Sequence, residues 1–334
     1  MPLFPRVQKI VMIFLIWHLV FSEKEIKMAT RETVCRRTRV GILMILALVV
    51  FSCTTKEVQV PPRMEPLPPP VPAKLGIVLG AGASKGFAHI GVLKVLELHN
   101  VPIHLVVGTS VGSVVGSLYA YGYKAFQLQE MALSIEKGDV IDTLYVPTNG
   151  FVKGEKIEEF INKALKNTPI EKLKIPFYAV TTDIQTGQEV VFGKGNTGTA
   201  VRASCSVPGI FRPLKIGDKM YVDGGVVSPV AVDVARRLGA DVVIAVDISS
   251  AIERTQPEGT METILQSINI MYSKLAAIQL SNADVVIKPK VGHIASFDFS
   301  KRHEAILEGE KAASEALPHI LKIVTQLRNE GRLE

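Results

Sequence analysis

Leu105-Val106-Val107-Gly108-Thr109-Ser110-Val111-Gly112-Ser113-Val114-Val115-Gly116 passes from an apolar, strand-like run through Gly-x-Ser-x-Gly into residues with helical spacing. As a bare pentapeptide that pattern is common. With a strand before it and a helix after it, the serine sits on a sharp turn that lifts its hydroxyl clear of the sheet, which makes Ser110 a candidate nucleophile. Gly108 and Gly112 remove the side chains that would collide as strand and helix pack. The amide of Val111, at the helix N-terminus, points where an oxyanion forms when an ester carbonyl is attacked.

Working outward, 75–79 is a short apolar run, Gly80-Ala81-Gly82-Ala83-Ser84-Lys85-Gly86 follows as a glycine-rich loop, and 86–100 has apolar residues near helical spacing. With strand 103–107, helix 110–121 and a helical region over 124–137, the opening reads βαβα. Further strands are expected at 177–182, 189–192, 220–223, 241–247 and 284–288. Helices are expected at 154–165, 228–238, 261–282 and 302–328. Such alternation predicts a three-layer α/β/α sandwich around a mainly parallel sheet. Ligands of such sheets sit outside the carboxyl ends of the strands, where the Gly80 loop and Ser110 both fall.

The ends of the chain carry a different message. An apolar run over 40–51 follows Arg31, Arg36, Arg37 and Arg39 and ends at Ser52-Cys53, the layout of an export signal, and twelve apolar residues are too short to span a bilayer comfortably. Val50-Phe51-Ser52-Cys53 resembles the lipobox of bacterial lipoproteins, which implies acylation of Cys53; an uncleaved anchor helix is the alternative. A second apolar run over 10–21 lies upstream, and translation from Met28 would leave one signal instead of two. The expected organisation is a targeting segment over 1–52, a lipidated cysteine and Pro-rich spacer over 53–73, and one domain over 74–334. At about 3.1 Å per residue the spacer reaches about 60 Å.

Five of the six net positive charges belong to that leader. Residues 1–52 hold eight of the 38 Lys and Arg but three of the 32 Asp and Glu, so the remainder is near neutral and gives no reason to expect a nucleic-acid partner. With Cys35 in the leader and Cys53 acylated, Cys205 has no disulfide partner and reads as a buried core residue.

A serine nucleophile needs a base. Of seven histidines, His89, His99 and His104 lie near the motifs, but none follows a strand end facing Ser110, and His89 reads as a packed, hydrogen-bonded residue. His293 would complete the order Ser, Asp, His of a conventional triad. The best acidic candidate is Asp223, which ends a strand and precedes Gly224-Gly225; burial that raises its pKa would let it take the Ser110 proton directly. The bland reading is an Asp-Gly-Gly turn. Amides around Gly82 and Ala83 would complete the oxyanion site with Val111. A dinucleotide site on the same loop is the alternative, against which stand the Gly-x-Gly-x-x-x-Gly spacing and the lack of an acidic residue after the second strand.

In this order the glycine loop, Gly108-Thr109-Ser110-Val111-Gly112 and Asp223-Gly224-Gly225 resemble the patatin-like phospholipase family. The likeness takes in Phe87-Ala88-His89-Ile90-Gly91-Val92-Leu93, Arg202-Ala203-Ser204 and Ser228-Pro229-Val230. It implies a lipid acyl hydrolase with Ser110 as nucleophile and Asp223 as base and without a histidine, metal or cofactor; phospholipids or lysophospholipids are the expected substrates, and the lipobox-like signal places the expected protein in the bacterial cell envelope. The family's loop is usually Gly-Gly-Gly-x-Arg/Lys-Gly; Gly80, Lys85 and Gly86 fit, while Ala81 and Ala83 replace glycines. Either those alanines lie in ordinary backbone regions or the loop is strained, and a non-catalytic lipid-binding protein on this fold is the corresponding alternative. Lys85 would hold a phosphate or remain a solvated loop residue, and Arg202 would pair structurally or with a substrate phosphate.

Overall fold

The computed structural model describes residues 41, 42, 44, 70–142, 152–249, 257 and 259–333. The chain divides into two units, Met1–Pro68 and Pro69–Glu334. In the first, residues 41, 42 and 44 are helical. The remainder of the expected targeting segment, with Cys53 and spacer residues 54–69, lies outside the described residues.

The second unit opens on β1 (Leu75–Leu79), a 3₁₀ turn (Ala83–Gly86), α1 (Phe87–Leu98), β2 (Leu105–Thr109) and α2 (Val111–Tyr121). Then come α3 (Ala125–Ser134), α4 (Lys137–Val140), α5 (Glu155–Ala164), β3 (Phe177–Asp183), β4 (Glu189–Phe192), α6 (Thr197–Ser204), β5 (Leu214–Ile216) and β6 (Lys219–Asp223). The chain closes with α7 (Val232–Arg237), β7 (Val242–Val246), α8 (Thr260–Gln279), β8 (Val285–Ile287) and α9 (Arg302–Asn329).

Strands β3, β2, β1, β7 and β8 pair in parallel, in that order, and β4, β5 and β6 add antiparallel pairs at one side. The two faces follow from the period-2 alternation of strand side chains. Leu75, Ile77, Leu79, Val242, Ile244 and Val246 enter the larger core, with α1, α2, α3 and α9. Val78, Val243 and Ala245 point the other way, toward Val232, Val234 and Ala235 of α7 and Ala276 of α8. Helices therefore cover both faces, giving the α/β/α sandwich with a mainly parallel sheet.

Several boundaries differ from the expected ones. β2 begins two residues later than 103, with His104 beside the start of β1, where its Nδ1 accepts the Leu75 amide over 3.0 Å, and the strand runs on to Thr109, opposite Val180. The helix expected over 228–238 shortens to α7, since Gly224–Val226 is a 3₁₀ turn and the chain around Pro229 lies outside the helix. The region expected over 124–137 breaks into α3 and α4. Helix α6 and strand β5 were not expected at all.

One register decides where Ser110 and Asp223 lie. β4 opposes Ala179 and Val180, as β2 does, and also Thr181 and Thr182, as β6 does. A strand has two edges, so β2 and β6 share the one away from β4. Along that edge Thr109 faces Val180 and Asp223 faces Thr181: the end of β2 and the end of β6 meet, one position apart.

Candidate active site

Ser110 follows that meeting point with φ 55° and ψ −126°, a region that L-residues occupy only when the surroundings enforce it. The enforcement is visible. Ser110 N–H donates to Ser204 Oγ over 2.9 Å, and Ser113 binds the Ser110 carbonyl through both its amide, at 2.8 Å, and its hydroxyl, at 2.6 Å. A Cβ on Gly112 would lie 2.0 Å from the Leu79 carbonyl, and one on Gly108 2.5 Å from the Gly112 carbonyl, so only glycine permits α2 to press onto the ends of β1 and β2. Ser110 is buried.

Asp223, fully buried at the end of β6, is held by its own turn: Gly225 N–H donates to Oδ1 over 2.7 Å. Tyr272 on α8 donates its hydroxyl to the same oxygen over 3.1 Å. Oδ2 is buried and has no hydrogen-bond partner among the described residues. Burial pushes the Asp223 carboxyl up to about 6, against the opposing pull of Ser110, Gly225 and Tyr272. The two glycines are required by contact. A Cβ on Gly224 would sit 2.2 Å from the Val180 carbonyl, and one on Gly225 2.3 Å from the Tyr272 ring.

The Gly80 loop closes the third side. Gly80 N–H bonds Val246, Ala81 N–H bonds Pro229, and the amides of Ser84 and Lys85 bond Ser296 and Gly82. Those of Gly82 and Ala83 make no backbone hydrogen bond among the described residues, nor does that of Val111 across the way. A Cβ on Gly86 would collide with the Val111 side chain at 2.2 Å, so loop and elbow are in contact. Ala83 has φ 52°, whereas Ala81 is not in a left-handed region: one alanine carries strain and the other does not.

The remaining candidates separate cleanly. His89 is fully buried; its Nε2 donates to the Gly80 carbonyl over 2.9 Å, and burial drives its pKa down to about 4, so it is a neutral brace for the loop. His293 is half-exposed, with Nε2 2.5 Å from Glu304 Oε1. It is paired at the surface and not with Asp223. Arg202 donates to Glu158 over 2.9 Å and to the Lys153 carbonyl over 3.1 Å, the structural pairing. Lys85 is buried, unlike a solvated loop lysine. Cys205 is buried beside the site, its Sγ 3.9 Å from Ser113 Oγ. Among the described residues no cluster of His, Cys, Asp or Glu is arranged to hold a metal ion.

Sequence reasoning gave no role to Ser204 or Tyr272. Ser204 lies inside Arg202-Ala203-Ser204, where its residue type does not announce a contact with an amide 94 positions away. Tyr272 is one apolar position of a helix, with no local signal.

Ser110 opens onto an apolar cavity of about 170 Å³. It is walled by Val111, Val114, Val115 and Leu118 of α2, Leu128 and Met131 of α3, Ile157 and Phe160 of α5, and the rings of Phe211, Phe297 and Phe299. Its chemistry suits a hydrocarbon chain whose polar end stops at Ser110.

Comparison with known proteins points the same way. A sequence model of the patatin-like phospholipase family matches residues 77–236. Lysophospholipase NTE1 of Scheffersomyces stipitis is 28% identical over 262 residues, covering 69% of this chain and 17% of that protein. Patatin-like phospholipase domain-containing protein 6 of Mus musculus is 37% identical over 185 residues, 53% of this chain and 14% of that one. An uncharacterized NTE family protein of Mycobacterium bovis is 31% identical over 180 residues, 53% of this chain and 50% of its own length. The chain thus spans less than a fifth of the yeast and mouse relatives it matches.

Proposed function

From the premise that this chain belongs to the patatin-like phospholipase family, we propose that it is a serine hydrolase of lipid acyl esters, phospholipids or lysophospholipids, working through Ser110 and Asp223. The observation that carries this reading is the buried Oδ2 of Asp223, which has no hydrogen-bond partner among the described residues, at the head of an apolar cavity that Ser110 lines, with the amides of Gly82, Ala83 and Val111 making no backbone hydrogen bond among those residues.

The acyl chain lies in the cavity and places its ester carbonyl at Ser110. Ser110 Oγ attacks the carbonyl carbon while its proton passes to Asp223 Oδ2. The developing oxyanion accepts from the amides of Gly82, Ala83 and Val111, each such donor contributing roughly 3 to 4 kcal/mol of barrier reduction. Collapse breaks the ester C–O bond, and the leaving alcohol takes the proton from Asp223. Water then attacks the acyl-serine, gives a proton to Asp223, and the fatty acid departs as Ser110 is reprotonated. His293 has no part in these steps.

The expected leader extends the reading to location. Acylation of Cys53 would tether the domain through residues 54–73 to a membrane of the bacterial cell envelope, raising its concentration at the lipid surface. Substitution Cys53→Ala should move the protein to the soluble fraction and abolish labelling by an alkyne fatty acid.

The test of the chemistry is labelling with a fluorophosphonate probe. Modification should map to Ser110, vanish in Ser110→Ala, fall sharply in Asp223→Asn and persist in His293→Ala. A folded protein that is not labelled at all would overturn the reading in favour of lipid binding without turnover.

A further inference from the structure

We propose that Tyr272 is a positioning residue of this reaction: its hydroxyl, with the Gly225 amide, occupies Oδ1 of Asp223, so that Oδ2 alone is presented to Ser110. The inference rests on Ser110 and Asp223 acting as described above.

The geometry is specific on both sides of the contact. A carboxylate at the end of a strand can rotate about its last bond and present either oxygen. Here two donors converge on one of them, at 2.7 Å from Gly225 and 3.1 Å from Tyr272, and both oxygens are out of water. The phenol ring fills the space that a side chain on Gly225 would need, since a Cβ there would stand 2.3 Å from Cζ and 2.6 Å from the hydroxyl. The second glycine of Asp223-Gly224-Gly225 is therefore the seat of Tyr272. Helix α8 is in turn fastened to the chain after that turn: Gln279 accepts from Val230 N–H over 3.1 Å and donates to the Val227 carbonyl over 3.1 Å. The base and its clamp are held as one assembly across 49 residues of sequence.

Among the described residues the titratable groups against Asp223 are Cys205, after α6, and Tyr272 itself; burial pushes both upward, so both stay neutral at working pH. The polar groups facing the carboxyl are the Ser110 hydroxyl, the Gly225 amide and the phenol. Deleting the phenol hydroxyl removes one of the interactions that favour the carboxylate.

The experiment compares Tyr272→Phe, which keeps the ring, with the wild type in ester turnover and in the pH dependence of fluorophosphonate labelling. The expected result is a fall of roughly tenfold or more in kcat with KM little changed, and an acid limb displaced to higher pH by about one unit. Should the Phe variant fold poorly, 3-fluorotyrosine at position 272 makes the hydroxyl a stronger donor without changing its place, and the acid limb should move the opposite way, to lower pH. An unchanged limb and kcat in a wild-type background that does label at Ser110 would overturn the role of Tyr272 alone. Absence of labelling in the wild type would instead overturn the underlying reading.

Discussion

Ser110 N–H donates to the Ser204 hydroxyl over 2.9 Å, and that hydroxyl donates onward to the Val180 carbonyl over 2.5 Å. The elbow is thereby tied to β3, the strand along whose edge β6 delivers Asp223. A strained serine and its partner are referenced to one rigid element, which is what a reaction with tight geometric demands requires.

Replacing Ser204 with Ala leaves the Ser110 amide buried without its acceptor. The expected loss is about 1 to 3 kcal/mol of stability, together with a fall in kcat/KM larger than the stability loss explains, because the φ 55° conformation of Ser110 loses a support. Thermal unfolding and ester hydrolysis on the same preparation check both.

Asp223 and His89 oppose one another in their effect on stability with pH. The Asp223 carboxyl is raised from 3.8 to about 6, so its proton stabilises the fold and that contribution is lost as pH rises from about 4 to about 6. His89 is lowered from 6.5 to about 4, so its contribution is present above 6.5 and lost as pH falls toward 4. Each amounts to about 3 kcal/mol at about 1.4 kcal/mol per unit. Asp223→Asn removes the first: relative to wild type its stability should grow between pH 4 and 6, and above pH 6 the variant should be the more stable protein. Urea unfolding across this range decides it, and a pH-independent difference would contradict the burial of an ionised carboxylate. Wild-type kcat/KM should carry an acid limb near 6.

Much of this was legible in the chain. The runs 75–79 and 189–192 became β1 and β4 residue for residue, because short apolar stretches bounded by turn residues are strands with few alternatives. Gly108, Gly112 and Gly224 stand at close backbone approaches, and Gly225 against the Tyr272 ring. Thr197–Ser204 escaped notice because TGTAVRAS has weak helix formers and no clear apolar stripe; the helix rests on the Asn196 cap, which accepts from Thr199 N–H over 2.8 Å, and on packing against α5. β5 has three residues, too few for a period. The clamp on Asp223 was invisible for a different reason: Tyr272 acts through a contact made only in the tertiary fold.

The two alanines of the Gly80 loop should respond in opposite ways to glycine. Ala83 holds φ 52°, which costs an L-residue roughly 1 to 2 kcal/mol; glycine relieves that and gives back part of it, about 0.4 to 1 kcal/mol, as unfolded-state entropy. Ala83→Gly should therefore leave stability unchanged or raise it by up to about 1 kcal/mol. Ala81 is buried and has no left-handed strain to relieve, so Ala81→Gly should lower stability by about 0.5 to 1 kcal/mol. Equal losses in both variants would mean that Ala83 does not hold the conformation described.

The cavity predicts how rate depends on chain length. If the acyl chain lies along Val111, Val114, Val115 and Leu118, each methylene it buries contributes about 0.8 kcal/mol, roughly fourfold in kcat/KM, until the space is full. Val114 sits one helical turn from Ser110 on the cavity wall, so Val114→Trp blocks the path close to its mouth. Along a series of p-nitrophenyl esters, the wild type should climb steeply with chain length while Val114→Trp stays nearly flat. The two enzymes should agree within about threefold on the acetyl ester, which does not reach the blocked region. A variant with the wild-type slope would place the acyl chain elsewhere.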